Sequence, residues 1–239
     1  MKIFNEPIEI DEEPWVLLPN NFDIDNSKFL ASNQKRRQKI KFKFFINSFD
    51  FLHDSEIEGS YFEFGIHRAR TFRMALSCAK YYQFTKMNFH AFDSFEGLPN
   101  YGENLKSTNL APGNLKTNLK TFKKIIDDHN LFKDKIFCHK GFYEENLSKP
   151  SLTRKLEGEK AAFITIDCDL KKSADYVFNF IENYIQHGTV LYIDDFFVGW
   201  NIGPGCKDSF ENFSKISRFK FVEHMTVGWW GKSFIASES

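Results

Sequence analysis

The stretch AAFITIDCDLKKSADYVFNFIENYIQHGTVLYIDD, residues 161–195, decides the fold. Ala161 to Ile166 is an almost continuous apolar run, and Val190 to Ile193 is a second one. Between them, apolar residues at steps of three and four predict a helix with one buried face. Ser173 is the expected N-cap of this helix, and Gly188 is the expected stop. Apolar strands that alternate with a helix indicate a parallel sheet covered on both faces.

The same alternation of strands and helices continues on both sides of this stretch. Helical spacing of apolar residues predicts two further helices, from Phe72 to Tyr82 and from Leu115 to Ile126. After Gly203 the pattern changes to a helix around Ser209 to Ile216 and two strands, which favours an antiparallel hairpin at the sheet edge. The strands predicted outside residues 161–195 are 61–64, 89–92, 135–138, 219–225 and 232–236.

The N-terminal part of the chain lacks this rhythm. Residues 1 to about 30 combine prolines and acids with isolated apolar residues, which predicts an extended arm that packs on the domain or on a second subunit. In Gln34 to Phe51, basic residues alternate with aromatic ones, a pattern that can bind phosphates. A helix with a solvated basic face and a buried Phe face is the favoured interpretation. We predict a single domain over residues 1–239, with an N-terminal extension over 1–38 and a core over 39–239.

Composition excludes several classes of protein. The chain carries 32 Lys or Arg and 32 Asp or Glu, so no overall field attracts nucleic acid or anionic membrane. Its four cysteines lie far apart, which indicates neither a zinc site nor a disulfide framework. No apolar run reaches the roughly 20 residues that span a bilayer. The acidic start does not match a signal peptide, so we expect a cytoplasmic protein.

Polar residues that follow the strands are the candidates for ligand binding, because ligands of such sheets bind beyond the carboxyl ends of the strands. After the first strand, Gly65 permits a tight turn, and the helix N-terminus beyond it favours negative charge. After the second, Asp93 is placed to accept the hydroxyls of a ribose, although a capping role is equally consistent. After the third, Gly141 lets a flat base lie against the backbone.

The strongest cluster is acidic. Asp167-Cys168-Asp169 ends one buried strand, and Asp194-Asp195 ends the next. Neighbouring parallel strands place these ends roughly 5 Å apart, so three or four carboxylates share one crevice, where they repel each other and are costly to desolvate. Mg²⁺ or Ca²⁺ would relieve both problems, since these ions prefer oxygen ligands. The alternative is that the aspartates cap helices or pair with Lys171, Lys172 and Lys207.

Taken together, these stretches resemble the macrocin and mycinamicin type of sugar O-methyltransferase, a metal-dependent family that uses S-adenosylmethionine (SAM). The resemblance implies a class I methyltransferase fold, an α/β Rossmann-like architecture. Its sheet has seven mostly parallel strands, an antiparallel C-terminal hairpin and helices on both faces. The matching stretches lie between about residues 40 and 235 and are YFEFGIHRARTF (61–72), FDSFEGLP (92–99), GFYEENL (141–147), ITIDCDLKKSADYVF (164–178), LYIDDFF (191–197) and GCKDSFENF (205–213).

The sequence departs from the family pattern at three positions. Ala69 stands where the SAM-binding turn often has a second glycine, and a methyl group there should be tolerated. Lys171 and Ala174 stand where relatives tend to have Tyr and Thr. These two positions lie near the acceptor, so they affect the choice of substrate more than the reaction.

The resemblance also implies roles for single residues. The residues implied to bind SAM are Glu63, Gly65 and His67 in the first turn, Asp93 and Ser94 at the ribose, and Gly141 and Phe142 at the adenine. The residues implied to bind Mg²⁺ are Asp167, Asp194 and Asp195. Three residues are candidates for the general base: Asp167 on the family pattern, Lys171 by analogy with catechol-type methyltransferases, and His139.

The expected reaction is transfer of the SAM methyl group to a hydroxyl of a sugar or a glycosylated small molecule. Mg²⁺, or another hard dication, would chelate a vicinal diol and lower the pKa of the hydroxyl. Trp200, Trp229 and Trp230 form either a stacking floor for the acceptor or, as favoured, an aromatic group buried at the sheet edge or a subunit contact. The resemblance implies a homo-oligomer, a dimer or higher, with neither a nucleic acid nor a membrane as partner.

Three other functions remain open. The first is methylation of a catechol-like phenol, and the second is glycosyl transfer with Asp167-Cys168-Asp169 as a D-x-D motif for Mn²⁺. The third is a non-catalytic scaffold, which the cost of keeping unpaired buried carboxylates disfavours. NAD-dependent oxidation is disfavoured as well, because no G-x-G-x-x-G opens the first helix.

Overall fold

A computed structural model describes residues 26–101, 110–198 and 205–238. The predicted N-terminal arm falls mostly outside these residues. In the described ranges, no helix combines the length and the apolar character that crossing a bilayer requires. The helices are α1 (Asn26–Asp54), α2 (Arg70–Tyr81), α3 (Leu119–His129), α4 (Tyr143–Asn146), α5 (Pro150–Lys155), α6 (Lys171–Ile181) and α7 (Cys206–Ile216). The strands are β1 (Ser60–Phe64), β2 (Phe89–Asp93), β3 (Ile136–Lys140), β4 (Ala161–Ile166), β5 (Ile185–Ile193), β6 (Phe219–Val227) and β7 (Gly231–Glu238).

The seven strands form one sheet in the order β3-β2-β1-β4-β5-β7-β6. Strands β1 to β5 pair in parallel, and β7 runs antiparallel to both β5 and β6. Phe64 of β1 pairs with Ile166 of β4, which pairs with Ile193 of β5, so these three strands end at the same level. The predicted fold is confirmed, and the residues that follow β1, β4 and β5 lie side by side.

Phenylalanine supplies much of the core, which accounts for a large part of the 29 phenylalanines in the sequence. Side chains along a strand alternate between the two faces of the sheet. Tyr61 of β1 therefore packs in the core beneath α1 and α2, whereas Phe62 and Phe64 pack in the core beneath α6 and α7. Helices close both cores, as expected for a sheet of buried apolar strands.

Aromatic contacts fix α1 to the sheet. Phe45 stacks on Phe163 of β4 with ring centroids 5.1 Å apart, and Phe44 meets Tyr192 of β5 at 4.6 Å. Loss of one such buried ring costs about 3–5 kcal/mol, so these contacts hold α1 in one position. The predicted helix with a buried Phe face is confirmed. One of its basic residues, Lys41, lies on the buried side rather than on the solvated face.

Three local predictions are wrong, each for a reason that residue spacing does not reveal. Leu115 precedes α3, because the side chain of Asn118 caps that helix by accepting a backbone N–H of its first turn at 2.9 Å. Ser173 lies inside α6, whose N-cap is Leu170. Gly188 does not end α6 but lies within β5 at φ +85°, where a β-carbon would collide with a neighbouring isoleucine.

Candidate active site

A cavity of about 650 Å³ opens at the carboxyl ends of β1, β2, β4 and β5, where ligands of such sheets bind. Its volume lies within the range of small-molecule sites. Part of α1 and the turn before β7 contribute to its wall. Among the predicted site residues, Gly65, His67, Asp93, Ser94, Gly141, Phe142, Asp167, Asp194 and Asp195 line the cavity, whereas Glu63, His139 and Lys171 do not.

Gly65 turns the chain sharply after β1, with φ +92°. A β-carbon there would lie 1.8 Å from the carbonyl oxygen of Asp167, so only glycine lets the turn pass this close to the acidic loop. Ala69, the N-cap of α2, is also left-handed at φ +51°, and its methyl group is buried in the core. The turn thereby brings the N-terminus of α2 to the cavity, where it favours negative charge.

Glu63 supports this turn from below the cavity wall. It is fully buried and accepts hydrogen bonds from Thr71 Oγ1 of α2, at 2.7 Å, and from the hydroxyl of Tyr61. Burial raises the pKa of Glu63 to about 7, although both hydrogen bonds act in the opposite direction. Glu63 therefore ties β1 to α2 behind the turn and does not line the cavity.

Asp93, at the end of β2, is fixed by two backbone donors. The N–H of Ile66 lies 2.7 Å from its Oδ2, and the N–H of Phe95 lies 2.5 Å from its Oδ1. Burial raises the pKa of Asp93, and the two N–H groups oppose that rise. Ser94 donates to the carbonyl of Gly97 at 2.8 Å and tightens the following turn. The carboxylate of Asp93 is thus held at the cavity wall and retains lone pairs for a hydroxyl donor.

The segment around residue 115 lies across the turn that follows β1. His67 Nδ1 donates to the carbonyl of Leu115 at 2.8 Å, and the N–H of Arg68 donates to Thr117 Oγ1 at 2.9 Å. These bonds connect two parts of the cavity wall that lie about fifty residues apart in sequence. His67 therefore lines the cavity and also orders its wall.

Gly141 and Phe142 form the part of the wall that follows β3. Gly141 has φ +146° and donates its N–H to the carbonyl of Asp93 at 3.0 Å. A β-carbon at Gly141 would lie 3.0 Å from the Cβ of Asn146, so the bare backbone fits this space closely. This part of the wall therefore lies next to Asp93 and has no side chain at residue 141.

Three carboxylates converge beside the turn after β1. Asp167 and Asp169 follow β4, Asp195 follows β5, and one oxygen from each lies within 4.8 Å of the others. Hard oxygen donors are the ligands that Mg²⁺ and Ca²⁺ prefer, so these residues fit a divalent cation. Burial and then the charge of Asp167 raise the pKa of Asp169 to about 7. Burial and neighbouring carboxylates also hold the pKa values of Asp167 and Asp195 well above their usual range.

Asp194 has a different set of partners. Lys41 Nζ lies 2.7 Å from its Oδ2 and 3.9 Å from Oδ2 of Asp167. Its other oxygen accepts a hydrogen bond from Trp230 Nε1 at 3.1 Å and another from the hydroxyl of Tyr192. Burial raises the pKa of Asp194, but the charge and hydrogen bond of Lys41 outweigh it, and the pKa falls below its usual range. Asp194 is therefore an ionised carboxylate paired with a buried ammonium group.

Lys41 is the site residue that the sequence interpretation missed. It precedes Asp194 by 153 positions, so spacing along the chain does not connect the two. Burial lowers the pKa of Lys41, but Asp194 and Asp167 more than compensate and hold it above its ordinary value. The sequence does contain a signal for Lys41, because polar residues recur at helical spacing on the buried stripe of α1. The stripe, at steps of four and three, is Gln34, Gln38, Lys41, Phe45, Ser48 and Leu52.

The lysines proposed as partners of the aspartates lie elsewhere. Each of them pairs with an acid outside the cluster, so the alternative that they neutralise it is wrong. Lys171, a candidate base, is engaged one helical turn further along α6. The pairs are Lys171–Asp175 at 2.7 Å, Lys172–Glu144 at 3.6 Å and Lys207–Glu211 at 3.6 Å.

His139, another candidate base, is buried in β3. Its Nε2 lies 3.0 Å from Nδ1 of His90, and its ring stacks on Phe92 at 4.4 Å between centroids. Burial and then the charge of His90 lower the pKa of His139 to about 3. His139 is therefore neutral near pH 7 and packs between strands.

The aromatic residues near the C-terminus divide between core and surface. Trp230 is buried and lines the cavity, whereas Trp229 is 59% exposed. Trp200 lies outside the described residues. Arg37 of α1 lies over the ring of Trp230 at 4.6 Å and over that of Trp229 at 5.3 Å. Trp230 thus combines the favoured burial at the sheet with a place in the cavity wall.

Comparison with known families identifies one match. The family model described as macrocin-O-methyltransferase (TylF) matches residues 38–231. No curated protein matches the chain in sequence.

Several solved structures share the fold. The O-methyltransferase NovP superposes with a TM-score of 0.69 at 15% identity, over 83% of this chain and 80% of NovP. The calicheamicin methyltransferase CalS11 gives a TM-score of 0.69 at 17% identity, over 90% of this chain and 87% of CalS11. An O-methyltransferase from Bacillus cereus in complex with SAH gives a TM-score of 0.52 at 12% identity, over 82% and 81% of the two chains. These similarities establish the class I methyltransferase fold.

Proposed function

Because the chain belongs to the macrocin-O-methyltransferase family, we propose that this SAM-dependent O-methyltransferase acts on a hydroxyl group of a sugar and uses a divalent cation. One observation carries the proposal. The glycine turn, the fixed carboxylate of Asp93 and the acidic cluster all line one cavity. A CalS11 structure is described as a TDP-rhamnose 3'-O-methyltransferase, and a sugar acceptor for the present enzyme agrees with that description.

The chain's own residues suit a SAM molecule along one side of the cavity. The N-terminus of α2 favours the methionine carboxylate, because its first residues, Arg70 and Thr71, line the cavity beside the turn that Gly65 opens. Asp93 can accept hydrogen bonds from the ribose hydroxyls, and the bare backbone at Gly141, with Phe142 beside it, suits the adenine. Gly65 and Asp167 line the same cavity, so these two residues would border the part of SAM that carries the methyl group.

The residues proposed to hold the cation are Asp167, Asp169 and Asp195, whose oxygens converge. A bound dication supplies electrostatic stabilisation to an acceptor hydroxyl and lowers its pKa. Asp167 is the proposed proton acceptor, because it lies beside both the turn and the acidic cluster. Burial and the charge of Asp194 raise the pKa of Asp167, whereas a bound dication would lower it and keep the carboxylate ionised, ready to accept the proton.

The remaining wall is suited to a polyhydroxylated acceptor. Arg37 and Gln38 of α1 line the cavity beside Trp230. Arg37 supplies several N–H donors in a fixed plane, and the adjacent indole ring offers an apolar face. Sugars combine hydroxyl groups with apolar C–H faces, so this combination favours a sugar over a wholly apolar substrate.

A panel of acceptors with radiolabelled SAM tests the proposal. We expect label transfer to a sugar or nucleotide sugar that carries vicinal hydroxyls, and much less transfer to the matched deoxysugar that lacks one of them. Catechol is the control for phenol methylation, and a nucleotide-sugar donor without SAM is the control for glycosyl transfer. Methylation of catechol together with inert sugars would contradict the sugar proposal.

Magnesium should stabilise the enzyme more at pH 8 than at pH 6. The unfolded chain has ordinary aspartates, whereas the pKa of Asp169 in the fold is raised to about 7 by burial and Asp167. The folded protein therefore holds extra protons below pH 7, and its stability without metal falls as the pH rises through that value. Dication binding must displace those protons, so its stabilising effect grows over the same interval.

Thermal unfolding with and without 10 mM-range MgCl₂ measures this effect. We expect the Mg²⁺-induced increase in Tm to be larger by about 3 °C at pH 8, which corresponds to roughly 1 kcal/mol in a chain of this size. KCl at matched ionic strength is the control. An equal increase at both pH values would contradict the assignment of Asp169 to the cation site.

A further inference from the structure

We propose that Arg37 binds a negatively charged oxygen group, a phosphate or a carboxylate, that the sugar acceptor carries. This inference rests on the proposed function and narrows its class of acceptor from sugars in general to anionic sugars. Arg37 directly precedes residues 38–231, which the family model matches, so membership of the family assigns it no role.

Two indole rings hold Arg37 on the cavity wall. Its guanidinium carbon lies 4.6 Å from the ring centre of Trp230 and 5.3 Å from that of Trp229. Trp230 is itself fixed, because it is buried and its Nε1 donates to Asp194 Oδ1 at 3.1 Å. A guanidinium group that lies over an indole ring still has N–H groups to donate to a ligand. One indole ring therefore separates Arg37 from Asp194 at the end of β5.

The two cations of α1 that line the cavity differ in their partners. Lys41 Nζ lies 2.7 Å from Asp194 Oδ2, so its charge is balanced within the protein. Arg37, one helical turn earlier, is half-buried and has only its two indole partners within residues 26–101, 110–198 and 205–238. Arginine forms paired, charge-assisted hydrogen bonds with carboxylates and phosphates. The guanidinium group of Arg37 is therefore suited to an anionic group of a ligand.

The exposed face of α1 extends this positive charge beyond the cavity. Residues 34–49 include six Lys or Arg and no Asp or Glu, although the whole chain is neutral. Lys35, Lys39 and Lys43 of this stretch are exposed. A local excess of one charge attracts ligands of the opposite charge and speeds their encounter with the site. The basic pattern that the sequence analysis connected with phosphate binding thus flanks the cavity at Arg37.

The cost of burying charge favours an anionic acceptor over a neutral one. A neutral acceptor that covers Arg37 would remove water from the guanidinium group without supplying a counter-charge, which costs free energy. An anionic group offsets that cost. The carboxylates that follow β4 and β5 repel such a group, so its favourable position is beside Arg37, over the face of Trp230. Arg37 would thereby fix the direction in which the acceptor lies.

The probes are glucose-1-phosphate and methyl α-glucopyranoside, which share one sugar ring and differ in the anionic group. Each is titrated by ligand-observed NMR against the full chain saturated with S-adenosylhomocysteine and Mg²⁺. We expect the wild type to bind the phosphate at least about tenfold more tightly than the neutral glycoside. The methyl glycoside of glucuronic acid separates the two sources of charge. Tighter binding of this uronate than of the phosphate identifies a carboxylate, and the reverse identifies a phosphate.

Three variants assign the effect to Arg37. Arg37→Met removes the charge and should bind the charged sugars at least about tenfold more weakly, with less than about threefold change for the neutral glycoside and for S-adenosylhomocysteine. Arg37→Lys keeps the charge without the planar fork, so its affinity should lie between those of the wild type and Arg37→Met. Arg36→Met is the matched control, because Arg36 is exposed, donates to Asn33 Oδ1 at 3.0 Å and does not line the cavity. The control should bind every probe as the wild type does.

The proposal is overturned if the wild type binds neither charged sugar more tightly than the neutral glycoside. It is also overturned if Arg37→Met binds the charged sugars as the wild type does, which is the result for an anion that binds only through Mg²⁺. Equal affinity of Arg37→Lys and Arg37→Met would overturn it as well. None of these measurements requires methyl transfer, so label transfer to a neutral sugar would refute the role of Arg37 and still support the proposed function.

Discussion

Asp167→Asn is expected to lower the turnover of methyl transfer by roughly 10³-fold, because the variant lacks the carboxylate proposed to accept the proton. Asp167 lies at the junction of the glycine turn, the acidic cluster and the buried Lys41. Asparagine has nearly the same size but neither accepts a proton nor carries the charge that attracts a dication. Affinity for S-adenosylhomocysteine should change only a few-fold, since the turn contacts the backbone of residue 167 and not its side chain.

Single-turnover transfer of label from SAM, together with calorimetric titration of S-adenosylhomocysteine, tests this expectation. Asp175→Asn is the matched control, because Asp175 lies on α6 and pairs with Lys171 outside the cavity. The control should retain turnover close to that of the wild type. Turnover of Asp167→Asn within tenfold of the control would contradict the role of this carboxylate in the reaction.

Gly65→Ala is expected to abolish binding of SAM and to destabilise the fold. Its β-carbon would lie 1.8 Å from the carbonyl oxygen of Asp167, so either β1 or the loop after β4 must move. That movement opens the turn, shifts the N-terminus of α2 and separates the cofactor side of the cavity from the acidic side. The backbone conformation at φ +92° adds a cost of about 1 kcal/mol for any residue with a β-carbon.

Gly158→Ala is a control that isolates the steric part of this effect. Gly158 has a similar φ of +80°, but a β-carbon there would meet nothing within 4 Å. Gly158→Ala should therefore lose only about 1 kcal/mol of stability and keep its affinity for S-adenosylhomocysteine. Thermal unfolding and calorimetric titration of both variants provide the comparison. If the two variants lose the same stability and keep the same affinity for S-adenosylhomocysteine, the close approach of Gly65 to Asp167 does not shape the SAM site.

The sequence predicts the sheet well, because the strands of its centre are buried on both faces. Ala161–Ile166 is apolar throughout and appears as β4 with the predicted bounds. Helix ends are predicted less well, because they depend on single contacts. Asn118 determines the beginning of α3 through one hydrogen bond to a backbone N–H, and an apolar pattern gives no information about that bond.

The sequence shows where the acidic cluster lies. It does not show which of the aspartates pairs with a lysine. Parallel strands that end together place Asp167, Asp169, Asp194 and Asp195 at one edge, and their order along the chain shows this much. Which of them is paired depends on Lys41, which reaches the cluster from a helix far upstream. The contact arises from the packing of α1 on the sheet, a tertiary arrangement that local patterns do not encode.

The most direct test of a cation site beside the SAM pocket is anomalous diffraction from crystals grown with Mn²⁺ and S-adenosylhomocysteine. The expected result is an anomalous peak among the carboxylates of Asp167, Asp169 and Asp195. The S-adenosylhomocysteine should bind in the same cavity, beside Asp93 and Gly141. Crystals that show the nucleoside in this cavity but no anomalous peak among those three carboxylates would contradict the account.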